Sequence, residues 1–186
     1  GVSVKKRTIR NYPKPIGAHV LGYMNKVSRS DLRKDKYYTP RDYKGASGLE
    51  LFYEKELRGQ KGVRRYLTNI KGERIASYLE GVLDTVSTAG ENLSTTLDVN
   101  LQEYGEYLMQ GKLGAIVAIE PGSGEVLALI NAPTYNPNLL SGGQTGSNYE
   151  LLEAMEGNVL YQRAIKSGQP PGSIVKTMQS AIALDV

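Results

Sequence analysis

Two apolar runs, Gly114–Ile119 and Glu125–Ile130, face each other across Glu120-Pro121-Gly122-Ser123-Gly124. A Pro/Gly-rich connection between two strand-length stretches reads as an antiparallel hairpin. The runs are nearly continuous in apolar character rather than alternating, so both strands are expected to be largely buried. Such a hairpin must be covered by other elements. The residues just upstream offer one. Asp98 is a good N-cap for a helix over about 99–110, with Leu101, Tyr104 and Leu108 on one apolar face. Ahead of it, Leu93-Ser94-Thr95-Thr96-Leu97 reads as a further strand.

The first half has a different texture. Residues 2–12 read as a strand ended by Pro13 and Pro15, and residues 17–28 as a second extended element. The sole histidine, His19, alternates with apolar residues there and reads as a hydrogen-bonded structural histidine. Ser28 to Tyr43 is polar and charged, with Pro40, and reads as a surface loop. Ser47-Gly48-Leu49-Glu50 has capping-box form and opens a short helix over about 48–58, closed by Gly59 and Gly62. Residues 62–70 and 73–80 read as strands around Lys71-Gly72. Gly81 to Glu91 has two glycines and little periodicity, which places the domain boundary there and divides the chain into 1–90 and 91–186. Downstream, Ser147-Asn148-Tyr149-Glu150 forms a second capping box before Leu151, Leu152 and Met155. A last helix starts at about Ser173, with Val175, Met178, Ala181 and Ile182 as its buried stripe. The fold class is α+β.

Composition narrows the chemistry. The 186 residues are 40% hydrophobic and 23% charged, which fits a globular chain. No run of about 18 apolar residues is present, and the N-terminus lacks a signal-peptide pattern. Cysteine is absent, which removes disulfides and thiolate metal sites. With one histidine, neither a zinc site nor any other metal or cofactor is expected, and a Ser-His-Asp triad would need His19 itself as base. The net charge is +4, with basic clusters at Lys5-Lys6-Arg7, Arg33-Lys34-Asp35-Lys36 and Arg64-Arg65. Nucleic-acid binding is the sharper reading of such clusters, and solvated strand faces and loops facing an anionic surface the plainer and preferred one. No RNA-binding signature accompanies the 13 tyrosines, so no nucleic-acid partner is expected.

The candidate chemistry sits in Pro170-Pro171-Gly172-Ser173-Ile174-Val175-Lys176. On a helix, a serine and a lysine three apart share a face with Cβ atoms about 5–6 Å apart. They can form a nucleophile–base pair if the amine is kept neutral. The same spacing at Ser3-Val4-Lys5-Lys6 falls in an expected strand, where that geometry does not arise. The plain alternative is that Ser173 caps the helix and Lys176 is solvated. Against it, a capping box would put Glu or Gln at 176, and the helix dipole disfavours a cation in the first turn by about 0.3–1 kcal/mol. Burial beside Ile174, Val175 and Ile182 would lower the amine's pKa, and the helix N-terminus would favour an anionic intermediate.

At this point the sequence resembles the class B penicillin-binding proteins, most closely their elongation-type peptidoglycan transpeptidases. Arg10-Asn11-Tyr12-Pro13 and Ala18-His19-Val20-Leu21-Gly22-Tyr23 look like the family's N-terminal module. Gly45-Ala46-Ser47-Gly48-Leu49-Glu50, then Tyr53-Glu54 and Leu57-Arg58-Gly59, are similar to its G-x-S-G-L-E…LRG block. Thr96-Leu97-Asp98 with Leu101-Gln102 resembles its T-I-D…L-Q entry to the transpeptidase domain. Gly114–Ala118 through Asn131-Ala132-Pro133-Thr134-Tyr135-Asn136-Pro137-Asn138 is similar to its G-A-x-V-A…P-x-Y-D-P-N run. Leu97, Gln162 and Ile174 depart from the usual Ile, Asn and Thr without touching the chemistry.

The resemblance implies a β-rich, non-catalytic pedestal or dimerisation module over 1–90 and the start of a penicillin-binding-protein/β-lactamase-like serine transpeptidase domain over 91–186. It makes Ser173 the acylated nucleophile and Lys176 its general base. Substrates would be stem peptides ending in D-Ala-D-Ala, and β-lactams would acylate the same serine. Implied partners are a membrane glycan polymerase and other cell-wall synthesis proteins, with a homodimer possible. The implied location is the bacterial inner membrane, with the catalytic part in the periplasm. The family's S-x-N and K-[ST]-G motifs are absent after Lys176, as are its membrane anchor and the first part of its N-terminal module. The chain is therefore expected to be a fragment, inactive alone, whose incomplete sheet exposes edge and apolar surface and invites contacts between chains. Two other readings use the same residues. Residues 1–90 could be a docking module of a cell-wall synthesis complex, or the Ser-Lys pair could serve a β-lactam sensor or hydrolase. The Gly45–Gly59 block argues against the second.

Overall fold

The computed structural model of the protein describes residues 10–142 and 144–185. The basic Lys5-Lys6-Arg7 cluster, the Ser3–Lys6 pattern and most of the first expected strand lie outside them, and residues 10–12 form no strand. In chain order the elements are α1 (Ala18–Leu21), β1 (Met24–Lys26), α2 (Arg29–Lys34), β2 (Tyr43–Gly45), α3 (Gly48–Phe52), α4 (Glu54–Leu57), β3 (Tyr66–Thr68) and β4 (Arg74–Ser77). They continue with α5 (Val99–Leu108), β5 (Gly114–Ile119), β6 (Val126–Ala132), α6 (Thr145–Ala154), α7 (Arg163–Lys166) and α8 (Val175–Leu184). Helices and antiparallel pairs β1–β2, β3–β4 and β5–β6 alternate, giving the expected α+β character.

The β5–β6 hairpin forms in the expected place, running from the Gly114–Ala132 pair to the Ile119–Val126 pair. Its burial is one-sided, which corrects the expectation of two buried strands. Ala128, Ile130, Asn131 and Ala132 of β6 are buried, whereas β5 is exposed along most of its length. Helix α5 accounts for the difference, since it packs on β6. Asp98 caps that helix as expected, accepting the Asn100 and Leu101 N–H groups at 2.8 and 3.0 Å. The packed face is not the expected Leu101/Tyr104/Leu108 stripe, all of which are exposed, but Gln102 and Gly105. A Cβ at 105 would lie 2.6 Å from Ile130 Cδ1, so glycine is what lets the helix approach the strand.

Residues 93–97 form no strand. Thr96 Oγ1 donates to Val126 O and the Asp98 N–H to Leu127 O at 2.8 Å each, so this stretch satisfies carbonyls of β6 without pairing residue by residue. Residues 17–28 also differ from expectation, being one helical turn (α1) and a three-residue strand (β1). Close backbone contact explains the break: a Cβ on Gly22 would fall 1.9 Å from Ser47 O, and one on Gly48 2.4 Å from Val20 O. Both glycines have positive φ, which other residues adopt only with strain.

The capping residues exchange roles. Ser28, expected in a loop, caps α2 in a full capping box with Asp31, each side chain bonded to the other's backbone. Ser47 makes no such bond at α3, because Glu50 turns instead to Arg10 and Tyr12. The helix expected over 48–58 divides into α3 and α4 at Tyr53 and ends at Leu57, with Arg58 as its C-cap and Gly59 following at positive φ. The second expected capping box, at Ser147–Glu150, lies inside α6, where Ser147 Oγ donates to Gln144 O. Strands β3 and β4 turn at Gly72, as expected but shorter. The connection Gly81–Glu91 folds back beside residues 60–63 through Gln60–Thr88 and Val63–Thr85 bridges. The main apolar cluster joins Ala18 to Tyr135, Leu140, Leu152 and Val159, with Tyr23, Tyr149 and Leu160 packed around it.

Candidate active site

From β6, the Asn131 side chain reaches α7, its Oδ1 accepting the Ala164 N–H at 2.7 Å. The loop ahead of α7 is pinned by Arg163, which donates to Gly157 O and to Asn158 O. Helix α7 itself buries no residue. Past it, Pro170 and Pro171 lead into a 3₁₀ turn, Gly172–Ile174, that runs directly into α8. Thr177 Oγ1 donates to Ile174 O at 2.7 Å and Ser180 Oγ to Lys176 O at 2.8 Å, fastening side chains to the first turns.

Ser173 and Lys176 therefore lie on one continuous helical stretch with the expected spacing. Ser173 lies within the 3₁₀ turn, after Gly172 at positive φ, and makes no capping bond, so it does not serve as the N-cap. Both residues are exposed, and among the described residues no hydrogen bond joins them. The expected apolar surroundings are open as well: Ile174 is 78% and Ile182 63% exposed, and the stripe through Met178 faces solvent. What the helix offers is an accessible hydroxyl and amine at the positive end of a dipole that favours developing negative charge.

The second centre of polar interactions lies where α1 meets the loop before α7. His19 is buried, and its Nε2 sits 2.8 Å from Val159 O. A carbonyl can only accept, so Nε2 carries the proton and Nδ1 is the bare nitrogen. This fits the expected hydrogen-bonded structural histidine. Gln162 Nε2 donates back to His19 O at 3.2 Å. Burial pushes the His19 pKa below its ordinary value, and nearby Arg163 works in the same direction against the Val159 bond. Tyr135, whose ring meets the imidazole edge-on at 5.4 Å, has its hydroxyl pushed up to about 12 by burial. A cavity of about 370 Å³ opens beside them, lined by His19, Tyr23, Tyr149, Gln162 and Lys166 among others. Sequence reasoning missed Gln162 and Asn131 as anchors of α7. Their partners lie 143 and 33 positions away, where no local pattern signals them.

Among the described residues, no group of three or more His, Cys, Asp or Glu could hold a metal ion, and no helix is long and apolar enough to cross a membrane. The chain matches two family models, the penicillin-binding protein dimerisation domain over residues 1–95 and the penicillin-binding protein transpeptidase domain over residues 114–186. Peptidoglycan D,D-transpeptidase MrdA of Acinetobacter baumannii is 33% identical over 183 residues, covering 97% of this chain and 27% of that relative. The crystal structure of Pseudomonas aeruginosa PBP2 in complex with WCK 5153 is similar with a TM-score of 0.74 at 31% identity, over 95% of this chain and 35% of that one. A complex between PBP2 and MreC from Helicobacter pylori gives a TM-score of 0.75 at 30% identity, over 91% and 31%. The chain thus spans about a third or less of the length of these relatives.

Proposed function

Since the chain belongs to the penicillin-binding proteins, joining their dimerisation domain to the start of their transpeptidase domain, we propose that it carries the nucleophile of a peptidoglycan D,D-transpeptidase of the elongation type. The observation that carries this is the placement of Ser173 and Lys176 three apart, on the solvent-open 3₁₀ turn and the first turn of α8 that follows it, within the stretch matching the transpeptidase domain. Ser173 Oγ attacks the carbonyl of the penultimate D-Ala of a stem peptide, and Lys176 Nζ takes the hydroxyl proton. The terminal D-Ala leaves as an amine that takes that proton from Lys176. The amine of a neighbouring stem then takes the acyl group, losing a proton that returns through Lys176 to Ser173 Oγ. Residues 1–90 serve as the non-catalytic pedestal and 91–186 open the catalytic domain.

The same reading gives the protein β-lactams as inhibitors and cell-wall synthesis proteins as partners, among them a membrane glycan polymerase. The likeness to a PBP2 solved together with MreC supports partners of that kind. It also gives an inner-membrane protein with its catalytic part in the periplasm. The test is labelling by a fluorescent penicillin in a polypeptide of the relatives' length that carries this chain. Label is expected on the peptide containing Ser173 and is lost in Ser173→Ala; label that persists in that variant overturns the assignment. The chain of residues 1–186 alone is expected to take up no label, because both groups stand on an open helix with no wall to hold a ligand.

A further inference from the structure

We infer that the cavity beside α1, the start of α3 and the loop before α7 is a binding site for a small organic carboxylate that carries an amide N–H and an apolar body. Its lining comes from both family matches: His19, Tyr23 and Ser47 from the first, Tyr135, Tyr149 and Lys166 from the second. Ligand sites favour such junctions, and a volume of about 370 Å³ lies within their usual range. Two of the lining side chains are more than nine-tenths buried and still have a polar atom to spare. Tyr135 is 8% exposed, and its hydroxyl has no hydrogen-bond partner among the described residues. That hydroxyl is not shut away from solvent either, so it opens on the cavity its ring lines. Burial keeps it protonated, its pKa pushed up to about 12, so it can donate. His19 is 7% exposed, and its Nε2 is engaged by Val159 O, which leaves Nδ1 free to accept. A buried polar atom without a partner is costly, and a ligand that pairs with it relieves that cost.

Charge sets the ligand class. Lys166 has no ion-pair partner among the described residues, and no Asp or Glu lines the cavity. A single unpaired cation suits a monoanion, and a carboxylate can accept from the Lys166 ammonium and the Tyr135 hydroxyl together. The Ser47 hydroxyl, which makes no capping bond at α3, is a third donor. His19 Nδ1 calls for a donor on the ligand, which an amide N–H supplies. Tyr23 and Tyr149, with rings 5.8 Å apart, and Leu51 and Leu160 give the apolar walls for its body.

The test is titration calorimetry of the chain with N-acetylphenylalanine, which has the carboxylate, the N–H and a ring, with melting temperature measured alongside. A dissociation constant of about 1 mM or tighter is expected, the level that ordinary efficiencies give a ligand of about fifteen non-hydrogen atoms. Its carboxamide, which lacks the charge, and phenylpropanoate, which lacks the N–H, are each expected to bind about tenfold more weakly. Tyr135→Phe and Lys166→Gln are expected to weaken N-acetylphenylalanine by about the same factor. Tyr135→Phe should leave the melting temperature of the free chain unchanged, since the hydroxyl has no partner to lose. A short peptide ending in phenylalanine distinguishes the source of the carboxylate. Equal binding of that peptide points to a polypeptide C-terminus, and binding of N-acetylphenylalanine alone to a small metabolite; either supports the site. No binding of either probe at about 10 mM overturns the inference. So does binding that the carboxamide matches, or that both variants leave unchanged.

Discussion

Gln102 brackets Leu129: its Nε2 donates to Leu129 O at 3.1 Å while its Oε1 accepts the Leu129 N–H at 2.9 Å. A side-chain amide thus does for β6 what a residue of a neighbouring strand would do. Gln102 Nε2 also donates to Glu106 Oε1 at 2.8 Å, and Glu106 Oε1 in turn accepts the Gly17 N–H at 2.7 Å. The chain of bonds runs from the hairpin through α5 to the entry of α1. Gln102→Ala strands the two Leu129 backbone groups and is expected to cost about 2–6 kcal/mol, at about 1–3 per unpaired group. Urea denaturation should show this as a lower midpoint with an unchanged slope.

Gly105→Ala gains about 1 kcal/mol in helix propensity but drives a methyl into Ile130 Cδ1. A net loss of about 1–2 kcal/mol is expected, as overpacking costs about 1–3. Ile130→Val removes the nearer of the two colliding carbons, Cδ1, leaving Cγ1 at 2.9 Å, so the double variant should be more stable than the two single losses added together. A denaturant cycle over the four proteins measures the coupling.

Glu54 is buried with both oxygens engaged, Oε1 by the Tyr38 hydroxyl at 2.8 Å and Oε2 by the Gly45 N–H at 2.7 Å. Glu54→Ala should lose about 2–5 kcal/mol, because two donors are left without acceptors. Tyr38→Phe leaves the carboxylate bonded to Gly45 and should cost only about 1–2 kcal/mol. Their melting temperatures should rank accordingly.

Stability should fall at both ends of the pH scale. His19 is held neutral by burial, so its folded pKa lies below the ordinary 6.5. As pH drops through that value the unfolded chain takes up a proton that the folded chain resists, and stability declines. Tyr135 works at the other end: its ordinary value of 10.0 is raised to about 12, again by burial. Above pH 10 the unfolded chain loses its phenol proton first, and stability declines as pH rises toward 12. Denaturation midpoints across pH should show both limbs, and His19→Gln should flatten the acid one.

Strand β5 presents an exposed apolar edge, with Val117 44% and Ile119 56% accessible. Unpaired apolar edges recruit other strands. Light scattering of the chain should show mass rising with concentration, and Val117→Lys should suppress the rise. A monomer at all concentrations would count against the expected contacts between chains.

The features legible in the sequence are those whose cause is local. The hairpin follows from two apolar runs and the turn between them, and the α5 cap from the single residue Asp98. Ser173 and Lys176 share a helical stretch because Pro170-Pro171-Gly172 starts one there. What escaped depends on partners far along the chain. Ser28 and Ser47 carry the same four-residue pattern with an acid three positions on, yet only Ser28 caps. Glu50 is drawn away by Arg10 from 40 positions upstream. The packed face of α5 reads as polar because its partner is backbone, which Gln102 can bond and Leu101 cannot. The stripe of α8 was legible as apolar, but apolarity calls for a covering surface without supplying one, and Met178 and Ile182 stand open.

The bond between His19 and Val159 also carries a consequence in time. At about 5–20 residues per second, a ribosome needs about 7–28 s to make the 140 residues that separate them. Throughout that interval Ala18 and His19 have emerged without the loop, Tyr135 and Leu152 that will enclose them. The segment made early is seated late, and until then its apolar face is open to whatever chaperone meets the nascent chain.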